Sequence, residues 1–332
     1  MTAFQQPDVR FVGLNVVPMD AHKLGAVPLV ADARRGLEAL HAALDGWSGS
    51  GADYQDEVRD RKAEWDAIAD ELRAPGTGPR PSQAAVMGAV NEAFGDRATV
   101  INAAGSMPGD LLKLWRSSDP KAYHVEYGFS CMGYEIPAGL GVKLAERGRE
   151  VVVFIGDGTY LMMNSEIVTA VAEGIAFTIV LVDNHGFQSI HGLQRSVGSP
   201  SFINELRHRD PESGRTDGPP VAVDYARHAE AMGALALEVD DVDGLREALA
   251  VARASERVAV IVIRTDPERR VPGFEGWWDV PVAEVSGQES VRAARRAYEA
   301  SAAKQRLHTA RPTRSVAGTS AGDPAGGEEE TT

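Results

Sequence analysis

The stretch Val151-Val152-Val153-Phe154-Ile155-Gly156-Asp157-Gly158-Thr159 (151–159) is an unbroken apolar run that enters a glycine turn. Such a run, mostly β-branched and without alternation, reads as a strand buried on both faces of a parallel sheet. The turn opens a helix, which is the setting of a phosphate site. Glycines let backbone N–H groups approach an anion, and a helix N-terminus favours negative charge. The dinucleotide fingerprint is excluded, because Thr159, Tyr160 and Leu161 follow where a third glycine is needed. A P-loop is excluded as well, since no Gly-Lys-Ser/Thr follows. Asp157 is the odd residue: a carboxylate in a phosphate-binding turn repels the phosphate, and a divalent cation between them reverses the sign. Oxygen-only ligands then point to Mg²⁺ or Ca²⁺.

The next apolar run ends Leu181-Val182-Asp183-Asn184-His185-Gly186. A βαβ crossover, right-handed in nearly all cases, makes the two strands parallel, so both finish at the same sheet edge, where open α/β sheets bind ligands. Asp157 and Asn184, 27 positions apart, are expected side by side, with the Asn184 amide oxygen and the Gly186 carbonyl as further ligands.

Farther out, helical and apolar stretches alternate from 82 to about 302. Helices are expected at 82–94, 135–146, 163–172, 224–232, 242–254 and 290–304, and strands at 99–102, 151–155, 177–182, 235–239 and 258–263. This predicts an α/β fold, a doubly wound parallel sheet covered on both faces. Residues 74–81 hold three prolines and two glycines and read as a linker. Before it, residues 11–16 and 27–29 read as short strands and 33–44 as a helix capped by Asp32, followed by a polar helix over 55–73. Residues 1–73 are too poor in strands to close a sheet and read as the tail end of a larger domain or a packing arm. The polar loop 207–220 is either a functional lid or a solvated insertion. From 305 the tail is rich in Pro, Gly, Ser, Thr and Glu and is expected to be disordered.

Composition narrows the function classes. The chain has 332 residues, a prior of about two domains. With 34 Lys and Arg against 48 Asp and Glu, its formal charge is −14, which argues against a general nucleic-acid binder. Cys131 is the single cysteine, so neither an intrachain disulfide nor a Cys-rich zinc site is possible, which suits a cytoplasmic protein. No apolar stretch has membrane length, and the first residues lack the pattern of a signal peptide.

Gly156-Asp157-Gly158, 25 intervening residues and then Asn184 resemble the motif of thiamin diphosphate enzymes, usually written GDG…NN. The first Asn of the pair is Asp183 here, a departure. The resemblance implies Mg²⁺ on Asp157, Asn184 and the Gly186 carbonyl. It implies a cofactor site at Gly105, Ser106, Ser130, Met132, Gly156, Asp157, Gly158 and Thr159. Met132 would be the apolar wedge under the cofactor, and the Ser130 carbonyl would accept from the aminopyrimidine. Gly105 and Ser106 would meet the diphosphate.

More specifically, Tyr123-His124-Val125-Glu126-Tyr127-Gly128-Phe129-Ser130-Cys131-Met132-Gly133-Tyr134-Glu135 resembles the trihydroxycyclohexane-1,2-dione hydrolases of myo-inositol catabolism. So do Gly158-Thr159-Tyr160-Leu161-Met162-Met163-Asn164-Ser165-Glu166, Pro108-Gly109-Asp110-Leu111 and Gly276-Trp277-Trp278. Near the start, Asp20-Ala21-His22-Lys23 and residues 28–33 resemble the end of that family's middle domain. The resemblance implies C–C bond hydrolysis of a cyclic 1,2-diketone to 5-deoxyglucuronate. The cofactor makes one carbonyl an electron sink, and water takes the acyl side as carboxylate. His124, Glu126 and Gln188 are the candidates to face the polyol substrate. His185 is expected to point away from the metal, and Trp277 and Trp278 to serve packing.

Family enzymes carry pyrimidine-binding, middle and diphosphate-binding domains, and this chain resembles the third with the end of the second. The activating glutamate of the pyrimidine domain has no candidate before Ser82. The chain is then expected either to be a fragment or to work with a pyrimidine-domain polypeptide in a homo-oligomer. Two other readings stay open: an acetolactate synthase or decarboxylase type of thiamin diphosphate enzyme, and a non-catalytic cofactor-binding remnant.

Overall fold

Alternate residues of the buried strands point to opposite faces, and here each face has its own apolar layer. The computed structural model describes residues 4, 6, 8–49, 51–273 and 277–305. Of the tail expected from 305, residues 306–332 lie outside the described residues, as does Gly276. The chain forms two compact units: residues 50–300 make the larger, and the residues before 50 together with those from 301 make the smaller.

In the smaller unit, β1 (Val12–Asn15) is followed by α1 (Pro18–Ala21), a 3-10 turn, β2 (Val27–Val30) and α2 (Ala33–Ala43). The two strands pair in parallel, with Val12 opposite Val27. Asp32 caps α2 as its sequence position suggests, accepting the Arg35 N–H at 3.2 Å.

The larger unit begins with α3 (Ala52–Arg73) and α4 (Gln83–Phe94). Then come β3 (Thr99–Asn102), α5 (Met107–Leu114), β4 (Tyr123–Val125), α6 (Glu135–Ala145), β5 (Val151–Gly156), α7 (Asp157–Tyr160) and α8 (Glu166–Ala172). It continues with β6 (Thr178–Asp183), α9 (Gln188–Ser196), α10 (Tyr225–Ala231), β7 (Leu235–Val239), α11 (Val242–Ala254) and β8 (Ala259–Arg264), before α12 (Glu289–Ala302). The six strands form one parallel sheet in the order β4-β3-β5-β6-β8-β7. Val152, Phe154, Val180, Val182 and Ile261 pack on one face against α3, α4, α5 and α11. Val153, Ile155, Ile179, Leu181 and Val260 pack on the other against α6, α8 and α10. The period of two in a strand makes this split. The doubly wound sheet expected from the alternation is what forms.

Four local expectations are corrected. The long helix read with residues 1–73 packs in the larger unit, because Ala69, Trp65 and Leu72 join the layer under α4. Helix α5 is not among the helices expected from the sequence. Proline is tolerated in a first helical turn, and Met107, Leu111 and Leu114 bury one stripe. Helix α9 carries Gly192 in its middle and forms around buried Gln188 and His191. Strand β4 has only three residues and exists through its pairing with β3.

Candidate functional site

From β3 the chain passes to β4 on one side and then returns to β5 on the other. The switch point of the sheet therefore lies between β3 and β5, and open α/β sheets bind ligands beyond the carboxyl ends of their strands at that point. A cleft of about 260 Å³ opens there. It is lined by Gly105 and Ser106 after β3, Gly156, Gly158 and Thr159 after β5, and Asn184, Gly186 and Gln188 after β6. Ser130 and Met132 line it from the loop before α6. Every cofactor residue expected from the sequence is thus at one place, with Asp157 fully buried behind the wall. A larger cleft of about 600 Å³ adjoins it and shares Gly105, Ser106, Tyr127, Asn184 and Gln188.

Asp157 opens the single-turn helix α7, and its Oδ2 accepts the Gly186 N–H at 2.7 Å. Its Oδ1 faces the end of the Asn184 side chain at 3.1 Å, and the Gly186 carbonyl oxygen is 3.1 Å from the same Asn184 atom. With the amide turned one way, Nδ2 donates to both oxygens. Turned the other way, Oδ1 occupies that point and three oxygens converge. Adjacent oxygens around an octahedral Mg²⁺, at about 2.0–2.1 Å from the ion, stand about 3 Å apart. The donor set fits a hard cation in both chemistry and spacing. Among the described residues no three His, Cys, Asp or Glu side chains gather at a metal-sized point.

Gly186 is at φ +117°, and a Cβ there would stand 2.5 Å from the Asn204 carbonyl oxygen. Only glycine can take this turn while the Phe187 N–H bonds to that same oxygen at 2.8 Å. The Gly186 carbonyl also accepts the Gln188 N–H at 3.1 Å, which leaves its second lone pair. Burial, with the Asp183 carboxylate second, pushes Asp157 up to about 7, while backbone N–H groups of Gly158 and Gly186 pull the other way. A bound cation would favour the ionised form.

Asp183, the departure from the expected Asn, is buried. It accepts the His185 N–H at 3.2 Å and faces Arg264 Nε at 3.4 Å. His185 turns its Nδ1 toward Asp183, 3.5 Å away, and is absent from the walls of both clefts.

The three candidate substrate-facing residues separate. Gln188 lines both clefts, with its Nε2 donating to the Asn184 carbonyl at 2.8 Å. His124 lies outside them: its Nε2 is 2.6 Å from Tyr134 Oη and the two rings stack. Glu126 closes its own loop, accepting N–H bonds from Phe129 at 3.0 Å and Cys131 at 2.6 Å, which hold its carboxyl below the usual range. Neither lines these two clefts, and partners within two short segments take their polar atoms. Trp278 is exposed at the larger cleft, and Trp277 packs on Tyr298 with ring centres 6.0 Å apart.

Other residues at the site had not been expected. Asp110 accepts from Gln83 Nε2 at 2.7 Å, and Gln83 Oε1 accepts from Ser106 Oγ at 3.2 Å. Burial pushes Asp110 up to about 6. Tyr225 is buried against Tyr160, and burial followed by the nearby Asp157 raises its hydroxyl pKa. Glu135, at the start of α6, is buried and accepts backbone N–H bonds from Ala104 and Gly133. A carboxylate among the apolar residues of 132–142 was the visible signal for it.

A family profile described as thiamine pyrophosphate enzyme, C-terminal TPP binding domain, matches residues 103–263. Over these residues the chain is similar to the C-terminal domain of thiamine pyrophosphate enzymes. The matched segment runs from the end of β3 to the end of β8, and so takes in the whole switch point. The chain is 37% identical over 321 residues to the 3D-(3,5/4)-trihydroxycyclohexane-1,2-dione hydrolase of Clostridium tetani (strain Massachusetts / E88), covering 89% of this chain and 49% of that protein. To the protein of the same name in Geobacillus thermodenitrificans (strain NG80-2) it is 39% identical over 306 residues, 85% of this chain and 47% of that one. The chain spans about half the length of the curated relatives it matches. Among solved structures, the Rhodococcus jostii RHA1 thiamine diphosphate-dependent 4-hydroxybenzoylformate decarboxylase matches with a TM-score of 0.51 at 20% identity, covering 58% of this chain and 34% of that one. That likeness shows the fold.

Proposed function

We propose that the chain is the thiamin diphosphate- and Mg²⁺-binding part of a C–C bond hydrolase that opens trihydroxycyclohexane-1,2-dione to 5-deoxyglucuronate in inositol breakdown. The observation that carries the cofactor reading is the convergence of Asp157 Oδ1, the Asn184 side chain and the Gly186 carbonyl beside the switch point. The substrate reading is supported by the relatives named as that hydrolase, at 37% and 39% identity. Asp157, Asn184 and Gly186 would hold the cation, with Gly105, Ser106, Gly156, Gly158 and Thr159 around the diphosphate. Met132 would stand under the organic part of the cofactor, with the Ser130 carbonyl as an acceptor beside it.

When bound, the cofactor supplies an electron sink for cleavage next to a carbonyl. The chain's own residues do the holding. Phe187 and Tyr127 narrow the cleft and limit water, and Gln188 offers an amide toward polyol hydroxyls. Arg270 lies at 3.4 Å from Gln188 Oε1 and keeps that amide oriented. The relatives are about twice as long, which supports a pyrimidine-binding domain, with its activating glutamate, outside the residues described.

Calorimetry with thiamin diphosphate and Mg²⁺ tests the cofactor reading: heat with the wild type and none with Asp157→Ala is expected. No heat with either protein overturns it. The purified chain alone is expected to turn over the diketone poorly, and robust hydrolysis without a partner overturns the need for a second domain. A decarboxylase reading rests on the shared fold, and a panel of 2-oxo acids beside the diketone separates the two.

A further inference from the structure

Glu135 is the first residue of α6 and only 1% exposed, and no step described above uses it. Its Oε1 accepts the Ala104 N–H at 3.2 Å, and its Oε2 accepts the Gly133 N–H at 3.0 Å. Ala104 is the residue before Gly105, and Gly133 is the residue after Met132. One carboxylate therefore ties together two backbone segments that both line the cleft. Ser130 adds a second tie, its Oγ donating to the Ala103 carbonyl at 3.2 Å. On its other side the Met132 loop is already tight: Gly133 sits at φ +97°, and a Cβ there would stand 2.7 Å from Met163 Cβ.

Burying a carboxylate is costly, so its presence needs a reason. An apolar replacement leaves two buried N–H groups without acceptors. An amide is no substitute either. It has one acceptor oxygen, and its NH₂ would face one of the two backbone N–H donors. Only an acceptor at both ends of the side chain closes this pair of bonds. The start of a helix adds a favourable field for the negative charge.

We propose that Glu135 is a positioning residue: by holding Ala104 and Gly133 at once, it fixes where Met132 stands relative to Gly105, so that the organic part of the cofactor meets a preformed wall. This rests on the reading of the cleft as a thiamin diphosphate site. The metal end is built from other residues, so Glu135 and Asp157 act on different parts of one ligand.

The experiment compares wild type and Glu135→Gln by calorimetry with two probes, thiamin diphosphate and inorganic pyrophosphate, each with Mg²⁺. The expected result is a loss of about tenfold for thiamin diphosphate and a clearly smaller loss for pyrophosphate, since an amide keeps one of the two bonds and Met132 meets only the organic part of the cofactor. In a Met132→Ala background the added effect of Glu135→Gln on thiamin diphosphate is expected to vanish. Equal losses for both probes, no loss for either, or an undiminished effect in the Met132→Ala background overturns the inference. Wild type that binds neither probe overturns the cofactor reading and this one with it; wild type that binds while the variant matches it overturns only this one. Should Glu135→Gln fail to fold, hydrogen exchange on the wild type decides. The Ala104 and Gly133 amides are expected to be slow, and exchange of the Gly133 amide at the rate of unstructured chain overturns the clamp.

Discussion

The side chain of Asn184 ends 3.1 Å from Oδ1 of Asp157, across 27 positions of sequence and one βαβ crossover. Both groups are buried, both sit at carboxyl ends of neighbouring strands, and the Gly186 carbonyl completes the set. A carboxylate, an amide and a carbonyl at such spacing are either bonded through an amide hydrogen or gathered around a cation. That alternative makes the site testable residue by residue.

Replacing Asn184 with Ala removes one of the three converging groups and leaves the fold's hydrophobic layers intact. Removing a partner one step out from a metal typically costs 10–100-fold in affinity, so loss of a direct ligand is expected to cost about a hundredfold or more in Mg²⁺-dependent thiamin diphosphate binding. Calorimetry at fixed Mg²⁺ measures it. Retained affinity would remove Asn184 from the site.

Gly186→Ala is expected to destabilise the chain by about 1–3 kcal/mol, the usual cost of a strained backbone position. Here the added Cβ also meets the Asn204 carbonyl oxygen. Urea unfolding measures the loss, and the same variant is expected to weaken cofactor binding, because the carbonyl it displaces is one of the three oxygens.

Asp110 makes stability depend on pH. Its carboxyl is raised by burial to about 6 from 3.8, so between those values the folded state holds the proton more tightly than the unfolded chain does. Its contribution is fully present below about pH 4 and is lost as the pH rises through about 6. Asp110→Asn is expected to remove this slope: relative to wild type, the variant gains stability on going from pH 4.5 to pH 7. A wild-type minus variant difference that is flat over that range would contradict the assignment.

Phe154 lies wholly inside the layer between the sheet and α5, edge-on to Trp115 with ring centres 6.3 Å apart. Phe154→Ala is expected to cost about 3–5 kcal/mol in urea unfolding, through lost burial and the cavity left behind. A cost below about 1 kcal/mol would mean that the layer collapses around the gap.

The unbroken strands at 151–155 and 177–182 and the alternation of elements specified the doubly wound sheet, because period and length act locally. The same strands placed Asp157 and Asn184 at one edge, since a βαβ unit has one hand. Edge strand β4 and helices α5 and α9 were not legible, because pairing and burial by distant residues hold them rather than local preference. His124 and Glu126 show the same limit at the site. The family resemblance put both near the cofactor, but Tyr134 Oη and the Phe129 and Cys131 N–H groups take their polar atoms.

By itself, then, the order of residues determined the sheet's class and the oxygen-rich motif at its edge, because these follow from backbone sterics and hydrophobic period. Tertiary structure alone decided which polar groups are left free to meet a ligand. It buried Glu135 between Ala104 and Gly133, closed Glu126 on its own loop and gave Gln188 to the cleft. Hydrogen-bond partners are chosen by spatial proximity, and a linear sequence does not state the proximity of residues thirty positions apart.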